Sequence, residues 1–119
     1  MAWFAAHVIM YVAFKDGRQD TYPVWENVIL IEADTLDAAR AKAETVGREG
    51  AGDDEGSFRW AERPASWVFG GIRKVVKCDS DPQRPGDGAE VTYSEIVVDT
   101  LDEVRDLASG RRVPLKEYE

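Results

Sequence analysis

The feature that most narrows the possible folds is an alternation near the start of the chain. Phe4, Ala6, Val8, Met10, Val12 and Phe14 are all apolar at intervals of two, while the residues between them, Trp3, Ala5, His7, Ile9, Tyr11 and Ala13, are mixed. Strand side chains point to opposite faces in turn, so this period predicts a long β-strand with one wholly apolar face. The run also falls well short of the roughly 20 apolar residues that a membrane-spanning helix needs. A polar segment at 15–20 follows, with Gly17 where positive φ is cheapest, and predicts a hairpin into a second strand over 21–33. Pro23 removes a ladder donor there, which leaves the register ahead of Trp25 open.

The period changes at Asp34-Thr35-Leu36-Asp37. Leu36, Ala39, Ala43 and Val46 then share one stripe, as on an amphipathic helix, with Asp34 or Thr35 as its cap and Gly47 as its stop. Residues 48–57, rich in Gly and acid, read as a solvated loop. A short strand at 58–60 is limited by Pro64. A longer strand at 67–78 places Val68, Ile72 and Val76 on one face and Trp67, Phe69, Arg73, Val75 and Lys77 on the other. Gly70-Gly71 marks a bulge, a bend or a close backbone neighbour within it. A hairpin loop at 79–88 leads to a strand at 89–99. Asp99-Thr100-Leu101-Asp102 then repeats the earlier tetrapeptide and opens a second helix, with Leu101, Val104, Leu107 and Ala108 as its buried stripe and Gly110 as its stop. Residues 113–115 add a short edge strand. The expected fold is α+β: a single domain over 1–119 in ββα-ββα order, a two-layer sandwich with a mainly antiparallel sheet of four to six strands and both helices on one face.

Charge and composition exclude several functions. Fifteen Lys and Arg stand against 23 Asp and Glu, a net −8 at pH 7, which opposes unaided binding to nucleic acid or anionic membrane. Arg73, Lys74, Lys77, Arg111 and Arg112 make a local basic patch without an RNA-binding aromatic signature. One cysteine, Cys78, permits no intrachain disulfide and suits a reducing compartment; with a single histidine, His7, it cannot build a Cys/His zinc cage. Asp79-Ser80-Asp81 with Asp87 lacks the spacing of a calcium loop, and Gly70-Gly71 lacks that of a phosphate loop. No basic leader precedes Trp3, so the expected location is the cytoplasm. No metal, cofactor or catalytic residue is expected, and Cys78 with His7 reads as a buried thiol and a hydrogen-bonded sheet residue.

If both helices cover the Phe4, Val8, Met10 and Val12 face, the other side presents an aromatic surface. Tyr11, Trp25, Asn27, Phe69 and Arg73 are the expected partner-binding residues there, resembling interface hot spots. The chain then reads as a non-enzymatic acidic module that forms a homodimer or docks a basic protein partner, as an inhibitor or immunity-type protein would. The alternative is a small-molecule-binding domain or enzyme whose pocket gathers His7, Glu26, Arg73 and Tyr93, with Glu90 as a further candidate.

Four segments carry a resemblance: Trp3-Phe4-Ala5-Ala6; Trp25-Glu26-Asn27-Val28 with Leu30-Ile31-Glu32-Ala33; Trp67-Val68-Phe69-Gly70-Gly71-Ile72-Arg73-Lys74; and Gly88-Ala89-Glu90-Val91-Thr92-Tyr93. Together they resemble a small uncharacterised bacterial domain family, domain of unknown function type 4288, over nearly the whole chain. The resemblance implies a bacterial cytoplasmic domain, supplies no activity, and directs attention to Glu26, Asn27, Gly71, Arg73, Glu90 and Tyr93.

Overall fold

A computed structural model describes residues 1–79 and 83–118. Strand β1, Ala2–Phe14, pairs antiparallel on one side with β2, Val24–Ala33, and on the other with β4, Arg63–Lys77; β3, Arg59–Trp60, closes the far edge, giving the order β2-β1-β4-β3. Helix α1, Leu36–Glu49, lies on the even-numbered face of β1, as the alternation predicts. Phe4, Ala6, Ile31, Ala33, Ala39 and Ala43 form the buried core between helix and sheet. Thr35 caps α1 by accepting from the Ala38 N–H. The helix runs past Gly47 to Gly50, which corrects the expected stop. Its buried stripe is Ala39, Ala43 and Gly47, while Leu36 and Val46 are exposed. Small residues at i, i+4 and i+8 let the helix backbone approach the sheet closely, and Gly47 lies directly against the Phe69 ring.

Pro23 is accommodated by substitution of its missing donor. Val12 N–H donates to Pro23 O at 3.1 Å, and the Gln19 side chain supplies the return bond to Val12 O at 2.8 Å. The β3–β4 turn has positive φ at both Ala61 (50°) and Glu62 (63°), the geometry of a two-residue hairpin without the glycine that normally announces it. The 67–78 strand therefore begins earlier than expected, at Arg63.

The second half departs further from ββα-ββα. Of the expected 89–99 strand only β5, Ile96–Val97, forms. It pairs not with the main sheet but with β6, Glu117–Tyr118, which replaces the edge strand expected at 113–115. Helix α2, Leu101–Ala108, starts as predicted, with Thr100 and Glu103 in a reciprocal capping box, and Gly110 follows it at φ 84°. It buries none of its residues, so Leu101, Val104 and Leu107 stand exposed and, of the two helices, α1 is the one that packs on the sheet. The radius of gyration, 17.5 Å, exceeds the roughly 13–14 Å of a compact domain of this length. Ser80, Asp81 and Pro82, with most of the Asp79-Ser80-Asp81 cluster, lie outside the described residues.

Candidate functional site

The register decides which candidates meet. Tyr11 lies opposite Val24, Met10 opposite Trp25, Val8 opposite Asn27 and Ala6 opposite Ile29. Directly opposed residues share a face, so Trp25, Asn27 and Ile29 lie on the α1 side and not with Tyr11. In β4, register shifts between His7/Val8 and Ile9/Met10 leave Arg73 and Gly70 as extra residues. These bulges keep Phe69 on the α1 side against Gly47 and turn Arg73 to the far side. The expected single surface of Tyr11, Trp25, Asn27, Phe69 and Arg73 is thus split between two faces. A one-residue change of phase in β2 and the bulges in β4 are the cause.

On the α1 side Trp25 packs edge-on to Trp60 and Trp67, at 5.3 and 4.8 Å, and Phe58 stacks on Trp67 at 5.6 Å. The 58–60 segment therefore folds back onto the sheet's aromatics. Beside it, an apolar groove of about 420 Å³ is lined by Met10, Trp25, Asn27, Val46, Gly47 and Trp67.

The far face holds the polar constellation. His7, only 3% exposed, makes Nδ1 and Nε2 contacts of 2.6 Å to Glu26 Oε2 and to Thr92 Oγ1. Arg73 donates to Glu26 Oε2 at 3.3 Å and stacks on Tyr118 at 4.2 Å. Burial pushes the Glu26 carboxyl up, but the hydrogen bond from His7 and the charge and hydrogen bond of Arg73 more than offset this and hold it below its ordinary value. Glu26 is then an ionised acceptor, so His7 Nδ1 must be the donor to it. In the neutral ring Nε2 accepts the Thr92 hydroxyl, which fixes the tautomer. Lys74 donates to Tyr93 O at 2.5 Å, and Arg73, Lys74, Tyr93, Glu95 and Tyr118 line an adjoining cleft of about 420 Å³.

Of the pocket candidates, His7, Glu26 and Arg73 therefore meet, and Tyr93 stands in the cleft beside them. The Glu90 side chain does not join them; its backbone carbonyl accepts from Asp79 N–H. Thr92, which completes the histidine's partners, carried no sequence signal, because it lies 85 residues away in an irregular segment. Cys78 is buried, with its thiol on Val91 O at 3.4 Å; burial foremost, then the Asp79 charge, pushes it up. Among the described residues no three His, Cys, Asp or Glu side chains are grouped to hold a metal ion, and no helix is long and apolar enough to cross a membrane.

These features define a small α+β domain built on a four-stranded antiparallel sheet with one helix packed on it. The chain belongs to the family described as Domain of unknown function (DUF4288), whose model matches residues 3–108. No curated protein and no solved structure matches it.

Proposed function

We propose that this chain is a non-enzymatic interaction module that self-associates, and that its contact surface is the outer part of the sheet along β2. The observation that carries this is the exposure of Val24 (57%), Val28 (46%) and Leu30 (45%) on the same face as Tyr11, next to an exposed Tyr22 whose ring packs on Tyr11 at 5.8 Å. Val28 and Leu30 adjoin each other on this face, and Val24 adjoins Tyr11 and Tyr22 on the other side of Glu26; apolar side chains exposed in this way mark contacts with another molecule. The bare stripe of α2 adds to this reading, since a helix of eight residues is marginal in water without packing. The occupant is a second copy. Light scattering coupled to size exclusion tests it: a mass twice the 13.3 kDa of the chain is expected, shifting to the monomer on dilution. A monomer at every concentration, or one that assembles only with a basic protein, overturns it.

A second reading rests on the meeting of His7, Glu26 and Arg73 beside the Tyr93 cleft, where a small polar ligand could bind. It supports fewer free donors than the sequence suggests, because Glu26, both ring nitrogens of His7 and one guanidinium nitrogen of Arg73 already have partners. A thermal shift on screening small acids, lost in Arg73→Gln, would favour it.

A further inference from the structure

We infer that self-association, the reading on which this inference rests, proceeds by antiparallel pairing of β2 with β2 of a second copy, edge to edge, about a two-fold axis at Val28. The direction of the backbone groups of β2 follows from two hydrogen bonds. Pro23 O accepts from Val12 of β1, so Pro23 points inward; Glu32 O accepts from the Lys42 side chain of α1 at 2.7 Å, so Glu32 points outward. In an antiparallel ladder successive residues alternate in direction. Trp25, Asn27, Ile29 and Ile31 therefore bond to β1, and Val24, Glu26, Val28 and Leu30 aim both N–H and C=O away from the sheet. Among the described residues, nothing is hydrogen-bonded to the outward backbone groups of those four.

A protein that stays monomeric usually blunts such an edge with Pro, Lys, a bulge or shortness. β2 has little of this beyond the charges of Glu26 and Glu32: it is ten residues long, pairs with β1 without a register shift, contains no Pro or Lys, and carries apolar side chains at Val24, Val28 and Leu30. The opposite edge is blunted: β3 has only two residues, and the stretch of β4 beyond it carries bulges at Gly70 and Arg73 together with Lys74 and Lys77, so pairing through β2 closes at a dimer instead of growing into a fibre.

Charge narrows the choice of register. An axis at Glu26 would set two Glu26 residues against each other, and an axis at Ile29 would set Glu26 against Glu32; like charges directly opposed are unfavourable. With the axis at Val28, Val28 meets its own copy, Glu26 meets Leu30, and Val24 meets Glu32. Trp25 then lies opposite Ile31 on the α1 side, and the aromatic and apolar rows of the two copies run on into each other.

Two measurements test this on the intact chain. Amide exchange followed residue by residue should show Glu26, Val28 and Leu30 protected at concentrations where the dimer is populated, and exchanging freely on dilution. Val28→Pro removes an outward N–H that β1 does not use, so the monomer fold persists, while the dimer loses one donor from each copy and its dissociation constant rises by about tenfold or more. Val28→Ala keeps both donors and should leave the dimer formed. A dimer whose Glu26, Val28 and Leu30 amides exchange freely, or which Val28→Pro leaves intact, overturns edge pairing while self-association stands. A wild-type monomer overturns both. Should Val28→Pro fail to fold, the exchange measurement on the wild type decides alone.

Discussion

Gly47→Ala should destabilise the protein, although the same exchange in an exposed helix interior gains about 1 kcal/mol. A Cβ at position 47 would stand 2.5 and 2.6 Å from two ring carbons of Phe69 and 3.2 Å from Val8 Cγ1, against the roughly 3.5–4.0 Å of an ordinary carbon contact. The ring cannot simply withdraw, because Arg48 lies over it at 5.1 Å and the sheet is beneath. Overpacking of this kind costs about 1–3 kcal/mol; set against the helix gain, the net loss is about 0–2 kcal/mol, or a fall in Tm of up to roughly 8 °C for a domain of this length. Gly50→Ala is the internal comparison. Gly50 has helical angles, φ −78° and ψ −9°, and its nearest neighbour to a new Cβ is 3.4 Å away, so alanine there should gain about 0.4–1 kcal/mol. Differential scanning calorimetry of both variants reads the two signs directly. In a Phe69→Ala background the obstacle is gone and Gly47→Ala should become neutral or stabilising. If Gly47→Ala and Gly50→Ala raise Tm alike in the wild-type background, the close helix–sheet approach is wrong.

His7→Leu should cost about 2–3 kcal/mol in urea unfolding, because it strips partners from Thr92 and from the Glu26 carboxylate while Arg73 still holds the latter; a loss below 1 kcal/mol, within ordinary surface scatter, would show that these bonds are weak. The pH dependence follows from Glu26. Its pKa is lowered in the folded state, so its contribution is fully present above the unfolded carboxylate value of roughly 4.3 and is lost as pH falls through the lowered folded value; in Glu26→Gln that part of the acid-side slope in urea midpoints should disappear. Cys78, buried with its pKa raised, should react with a thiol reagent only as fast as the protein opens, and far more slowly than in urea. Labelling of the native protein at the rate of the unfolded chain would contradict its burial.

What the sequence determined on its own was everything set by neighbours along the chain. The apolar face of β1 came from a strict two-residue period, and both helix starts came from Asp-Thr-Leu-Asp, where a Thr hydroxyl meets the free amide three residues on. The pairing of His7 with Glu26 and Arg73 was legible as a set of candidates but not as a contact. Tertiary structure decided the rest. The nine-residue connection 15–23 imposes no turn type, so the phase of β2 was fixed instead by Ile31 and Ala33, which must face the core because α1 begins three residues beyond the strand and folds onto that side. Bulges at Gly70 and Arg73 then reset the faces of β4, against the simple alternation of its residues. Helix α2 displays a well-formed apolar stripe that the described residues leave uncovered, because amphipathic spacing requires a partner surface without specifying which molecule provides it.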